Sequence, residues 1–414
     1  MSEKSNEVQL ERPPATLSTE DARLEPSEWY QEMRDETPVR FDPDRGVWDV
    51  FRYDDVRYVL KQYDLFSSNP MGSRSEDDVE RDQSTSSPET MSESERGAFA
   101  EMLISTDPPK HERIRSVVNE HFQADAIRSY RPRVEAIADE LVSDLELGRI
   151  DLVESFSYPF PVDVIAGVLG VPREDRATFK QWSDTITGAA DASMDGGLTR
   201  EEAVMRMSDY FQTLLVDRRE NPRDDLLTVI ATAGSEESGL SHPEMISLCI
   251  LLLIAGNVTT TNLLTNAIWC FHEHGLLDDV QNGEIPLDSA IEEVLRYRSP
   301  VQRQERVALQ DVELGGKTIE EGDYVVAWIG AANRDERKFD SPETFDPTRR
   351  PNSHLAFGQG IHYCLGAPLA RLEAEVGFRT LFDRFDIADV DTTDLCPLGS
   401  VEIYGSKRLP VTLE

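Results

Sequence analysis

His354 to Arg371 reads HLAFGQGIHYCLGAPLAR, which places one cysteine, two histidines, three glycines and a terminal arginine within eighteen residues. Phe357-Gly358-Gln359-Gly360 reads as a tight turn, because glycine permits backbone angles and close approaches that side chains forbid. Pro368 is tolerated only in a first helical turn, so a helix starts around Cys364 to Ala367. Cys364 therefore sits where a glycine-rich loop meets a helix N-terminus, and free N–H groups and the helix dipole favour a thiolate there. Such a thiolate can ligate iron, with backbone N–H bonds tuning its basicity.

Three further stretches carry side chains suited to chemistry. His111 and Arg115 are four apart on a helix opened by Pro108-Pro109, hence on one face. Taken alone, such a pair reads as a solvated surface. Glu293 and Arg296, three apart in IPLDSAIEEVLRYRSP, can meet on a helix surface, where an exposed pair contributes under ~1 kcal/mol. Glu292, one residue out of register, reads as surface. In MISLCILLLIAGNVTTTNLLTNAIW, Ala255-Gly256 removes bulk and Thr259-Thr260-Thr261 adds hydroxyls inside an apolar run. Small residues admit something large against the backbone, and a buried hydroxyl needs a partner, which the preceding turn can supply.

The elements that must position these residues are mostly helical. Patterning predicts helices over 28–36, 131–145, 178–190, 201–219, 243–269 and 286–297, with Asp54 capping a short one and Pro159 and Pro161 interrupting 151–169. Strands are expected at 39–41, 47–51 and 324–329, with further strands and a hairpin between 301 and 322 and a β-rich tail from 395. Val401 to Tyr404 reads as a hairpin tip. Residues 1–20 read as a disordered tail and 70–95 as a polar acidic loop, leaving 21–414 as one domain.

Length and charge set the bounds. The 414 residues suffice for a core that encloses a cofactor. No apolar stretch approaches the ~20 residues of a spanning helix and the N-terminus has no signal-peptide core, which predicts a soluble, cytoplasmic protein. Four cysteines without a C-x-x-C pair suit a reducing compartment. Seventy-nine acidic against forty-two basic residues give a net charge of −37, which argues against nucleic acid or anionic membrane as partner. Such an excess is self-repulsive unless salt shortens the Debye length, to ~3 Å at 1 M. We read it as adaptation to a salt-rich cytoplasm, as in halophilic archaea.

The segment around Cys364 resembles the haem-binding loop of the cytochrome P450 family. The pattern Phe-Gly-x-Gly-x-His-x-Cys-x-Gly is complete at Phe357, Gly358, Gly360, His362, Cys364 and Gly366. The resemblance spans roughly residues 25 to 412 and rests on five motifs in family order. It implies a mainly α fold, a helical prism with a minor β-sheet part, and haem b (iron protoporphyrin IX) ligated by Cys364. It assigns His111, Arg115 and Arg306 to the propionates, with Arg303 as runner-up, and His354, Phe357, Gly358, His362 and Gly366 to the cofactor loop. It makes Glu293, Arg296 and Arg349 a buried triad behind the haem. It places Ala255, Gly256, Asn257 and Thr259 where oxygen binds and makes residues 178–219 the roof of the substrate channel, where Met205, Met207 and Phe211 could face substrate. The acid of the family's oxygen-helix motif is replaced by Val258, which cannot carry a proton. Asn257 or ordered water substitutes, or turnover uses peroxide or a substrate group. The implied activity is a monooxygenase acting with molecular oxygen on a small hydrophobic substrate. The implied protein is a monomer fed by a ferredoxin-type donor, with Lys110, Arg113, Arg128 and Arg133 as basic contacts. A peroxygenase and a non-catalytic haem or gas-binding protein are the alternatives.

Overall fold

The computed structural model describes residues 8–10, 12–69, 102–187, 198–234 and 239–414. The expected acidic loop at 70–95 and the turn around Gly196 lie outside the described residues. The chain begins with α1 (Glu20–Leu24), α2 (Ser27–Glu36), β1 (Val39–Asp42), β2 (Val47–Val50), α3 (Tyr53–Lys61) and β3 (Phe66–Ser67). Helices α4 (Lys110–Asn119), α5 (Ala124–Ser143), strand β4 (Gly148–Asp151), α6 (Pro159–Leu169), α7 (Arg176–Thr187), α8 (Arg200–Glu220), α9 (Leu226–Ala233) and α10 (His242–Glu273) follow. The last third holds α11 (Leu277–Gln281), α12 (Leu287–Tyr297), β5 (Arg303–Ala308), β6 (Val312–Leu314), β7 (Lys317–Ile319) and β8 (Tyr324–Trp328). Helices α13 (Ile329–Ala332) and α14 (Ala367–Phe382) and strands β9 (Ile387–Val390) and β10 (Pro410–Leu413) complete it.

These elements form two compact units: residues 1–85, 265–364 and 392–407, and residues 86–264, 365–391 and 408–414. The first is organised on a sheet of order β1-β2-β8-β5-β3, with β2 and β8 parallel and the remaining pairs antiparallel. The period of two in β8 sends Val325 and Ala327 into one apolar cluster with Val56 and Leu355, and Val326 and Trp328 into another with Trp29 and Phe51. Asp49, fully buried, accepts from Trp328 Nε1 at 2.8 Å and is paired with Arg45, so the charge is not left alone. Asp54 is not a cap. Arg52 holds that position and Asp54 lies in the first turn of α3. Within the described part of the stretch expected to be a loose tail, most residues are exposed but others make packed contacts. Leu17 is buried in the Trp29 cluster, while Leu10 O accepts from Arg303 at 2.7 Å. One apolar side chain at the right spot outweighs the polar composition around it.

The second unit is helical around α5 and α14, with a sheet of order β4-β10-β9. Pro159 and Pro161 do not interrupt a helix. They lie in the first turn of α6, where their missing N–H groups are harmless. Helix α5 starts seven residues before the expected position and carries Pro132 within it. Met207 and Phe211 of α8 are fully buried core, while Met205 is exposed. Helix α10 has an 18-residue window of mean hydropathy 1.7, long and apolar enough to cross a membrane by length and composition. The sequence reading of no such stretch is corrected there, because Ser247 and the threonines do not offset the aliphatic residues. Most of that window is buried within the protein.

Candidate functional site

The loop before Cys364 is held by its own backbone. Leu355 N donates to Asn333 Oδ1 at 2.7 Å, Gly358 N to Leu355 O at 2.8 Å, and Cys364 N to Phe357 O at 2.8 Å. Gly358 and Gly360 both have φ of 71°. A Cβ on Gly360 would also lie 3.1 Å from Leu60 O, so glycine is required there on two counts. His362 ends a short 3-10 turn, and Gly366 caps α14 three residues after the turn's end is passed at Tyr363. The helix begins at Ala367, so Cys364 precedes it, half-buried, with its N–H spent on Phe357 O. Cys249 and Cys270 are buried in α10, and burial pushes both thiols up, which leaves them inert.

Behind the loop, Glu293 and Arg296 of α12 are fully buried. Arg296 donates to Glu293 at 2.9 and 2.7 Å, Arg349 Nε donates at 3.2 Å, and Asn352 Nδ2 and Asp346 N at 3.1 and 2.8 Å. Arg296 Nη1 also reaches Asn333 O at 2.9 Å, so the acid–arginine pair and the Cys364 loop share Asn333. Glu292 departs from expectation. His354 Nδ1 accepts from Ala356 N at 3.3 Å and its Nε2 meets Glu292 Oε2 at 3.2 Å. Glu292 is thus a loop anchor rather than bare surface, and His354 braces the loop through both ring nitrogens. On β5, Arg303 is committed to Leu10 O and Glu402. Arg306 is buried and donates to Glu305 O at 2.6 Å.

In the second unit, α4 carries a buried His111 and a half-buried Arg115. Burial, reinforced by Arg115, lowers His111 to about 4, so the ring is neutral at pH 7. Arg113, one of the four expected donor contacts, is half-buried. It forms a two-pronged pair with Glu244 at 2.5 and 3.0 Å and bonds Gly239 O. Arg133 likewise bonds Gly167 O at 2.5 Å, and Arg128 is exposed and paired with Asp125. On α10, Ala255 is exposed and Val258 and Thr259 are half-buried. Their spacing of three and four places them on one stripe. Thr259 Oγ1 donates to Ala255 O at 2.8 Å. Asn257 does not join that stripe. It is buried, donates to Ser183 Oγ at 3.3 Å and accepts from Thr261 Oγ1 at 3.1 Å.

These features fit a haem. No group of three His, Cys, Asp or Glu among the described residues could hold a metal ion, and Cys364 as a single thiolate ligand suits a metal that brings its remaining ligands with it. A Cβ on Gly366 would meet nothing within 4 Å, which leaves open space at the N-cap of α14. Arg115 and Arg306 offer guanidiniums for carboxylates. Asn333 and Asn352 escaped sequence reading, since an asparagine in a turn signals only the turn. A separate cavity of about 290 Å³, lined by Leu24, Tyr30, Arg298 and Tyr404, contains none of these residues.

A glycine-cradled cysteine on this mainly helical scaffold defines a haem-thiolate protein. A family model described as Cytochrome P450 matches residues 277–401. The chain is 39% identical over 94% of its length to a putative cytochrome P450, YjiB, of Bacillus subtilis, covering 94% of that protein. It is 35% identical over 94% of its length to 6-deoxyerythronolide B hydroxylase of Saccharopolyspora erythraea, covering 96% of it. The crystal structure of CYP109E1 from Bacillus megaterium with testosterone superposes with a TM-score of 0.81 and 41% identity, covering 95% of this chain and 99% of that one. The chain belongs to the cytochrome P450 family: a monooxygenase whose cofactor is haem b.

Proposed function

We propose that this enzyme inserts one oxygen atom of molecular oxygen into a small hydrophobic organic substrate, with electrons from a ferredoxin-type donor. The observation that carries the reading is the half-buried Cys364 in its glycine turn. One haem domain spans 21–414. Haem iron, when bound, supplies reductive activation of oxygen. Cys364 would hold that iron, His111, Arg115 and Arg306 the propionates, and Phe357, Gly358, His362 and Gly366 the walls of the loop. Thr259 presents a hydroxyl on the stripe of α10 that also carries Ala255 and Val258, and Gly256 keeps that turn slim. Lys110, Arg113, Arg128 and Arg133 are the basic contacts for a donor. The working place is a salt-rich cytoplasm, and the working form a monomer. Steroids are the first substrates to try, since CYP109E1 is described with testosterone and with corticosterone. A reduced, carbon-monoxide-bound spectrum in high salt tests the centre. The thiolate-type Soret shift is expected, and its absence from correctly folded, haem-loaded protein ends the reading.

One observation favours a second mode. Between Glu244 and Glu273, α10 contains no carboxylate, so the helix itself offers no acid beside Thr259. Peroxide-driven turnover avoids that proton requirement. Val258→Asp should raise reductase-driven product formation by about a hundredfold, the lower end of what a positioned acid contributes, relative to peroxide-driven product. An unchanged ratio removes Val258 from proton delivery.

A further inference from the structure

We propose that Asn257 is a positioning residue, whose amide ties the back of α10 to Ser183 of α7 and so sets the orientation of the turn that presents Val258 and Thr259. The inference rests on the reading of Thr259 as the oxygen-side hydroxyl. It adds that this hydroxyl is indexed to a helix of the substrate-channel roof.

The geometry starts from the helix period. At about 100° per residue, Asn257 lies some 200° around α10 from Thr259, on the opposite side. There it is 1% exposed and Ser183 is likewise 1% exposed. The amide is used at both ends, donating to Ser183 Oγ at 3.3 Å and accepting from Thr261 Oγ1 at 3.1 Å. An aliphatic contact in this place would slide at little cost. A buried amide cannot, because leaving either end unmet incurs the desolvation penalty of a polar group. The turn is wedged on the α6 side as well, since a Cβ on Gly256 would come 3.1 Å from Ile165 Cγ1. Gly256 thus permits close packing while Asn257 chooses the register.

Helix α7 is itself joined to α8. Phe179 meets Tyr210 edge-on at 4.8 Å and Phe211 at 5.4 Å. A displacement of this aromatic pair of helices therefore pulls on Asn257 through Ser183. Because the tie and Thr259 lie on opposite sides of α10, a pull on one turns the other. Thr259 Oγ1 rests on Ala255 O at 2.8 Å, one turn back, so the orientation of this turn decides where the hydroxyl points. The same geometry explains why Asn257 is unsuited to carrying protons: its side chain is on the wrong side and both its ends are spent.

The test uses the haem-loaded protein in high salt, comparing Ser183→Ala, Asn257→Ala, the double variant and Ser183→Thr. Amide exchange across 176–187 and 255–261 is read together with the dissociation constant of imidazole, a probe that binds iron on the oxygen side. Ser183→Ala should accelerate exchange in both segments by roughly threefold to tenfold, the worth of one buried hydrogen bond. It should shift the imidazole constant by about threefold or more, Ser183→Thr should restore both, and the double variant should be no worse than the worse single one. Unchanged exchange, an unchanged imidazole constant, or additive effects of the two alanines overturn the proposal. The carbon-monoxide spectrum of the same samples separates the outcomes. Loss of the thiolate signature in the unaltered protein strikes the haem-thiolate reading, whereas exchange data judge the tie by themselves.

Discussion

Glu293 shows most sharply how a residue's meaning depends on its surroundings. A Glu-x-x-Arg spacing on an exposed helix is worth little, but here the carboxylate accepts from Arg296, Arg349, Asn352 and a backbone N–H in full burial. Removing one member of such a set leaves the other charges unmatched, so Glu293→Ala should cost about 3–5 kcal/mol. The loss should be visible as a lower denaturation midpoint and reduced haem retention. A change under ~1 kcal/mol would mean that the arginines find other partners. Glu292, its neighbour, looked like surface because spacing alone cannot see that His354 folds back onto it from sixty-two positions downstream.

Between elements, the join of α4 to the start of α10 makes a pH-dependent contribution. Burial alone would raise Glu244, but hydrogen bonds from Arg113 and from Ser241 overturn this and hold it at about 2. A carboxyl whose folded pKa lies below its unfolded value contributes stability that is complete above the unfolded pKa. That stability is lost as pH falls through the folded one. Stability from this join should therefore decline between about pH 4.5 and about pH 2. With Arg113 partly exposed, Arg113→Ala should cost only about 1–2 kcal/mol at pH 7. The variant's denaturation midpoint should also change less with acid than that of the parent. Equal acid sensitivity in both would show that the pair is not coupled to folding. Helix boundaries were legible where proline and apolar period agree, as in α10 and α12. They were misjudged where proline opens a helix instead of breaking it, as in α6, because position within the first turn is not visible from composition.

For the whole molecule the dominant quantity is a net charge of −37. Among the described ion pairs, Arg45 with Asp49 and Arg218 with Asp225 neutralise acids locally, but the bulk of the excess has no cation to meet. Raising KCl from 0.1 to 2 M should increase Tm by on the order of ten degrees, as screening shortens from about 10 Å to under about 3 Å. A flat or falling curve would refute the salt adaptation. The monomer is tested by light scattering in the same buffers.

What the amino-acid order determined by itself is local and covalent: a cysteine ten residues after a histidine, glycines where a turn must close, an arginine four residues after His111, and an apolar helix relieved by Ala255 and Gly256. These patterns survive any packing, which is why their resemblance to the cytochrome P450 family could be recognised and the haem-thiolate class inferred from it. Tertiary structure alone decided which side chains were already spoken for. It closed Arg113 on Glu244, drew Arg133 to Gly167, turned Asn257 toward Ser183, and gave His354 to Glu292. Hydrogen-bonding capacity is finite, and its allocation depends on partners far away in the chain that no spacing rule can reveal. Cys364 could be found by its neighbours in sequence; the role of Asn257 could be found only by its neighbours in space.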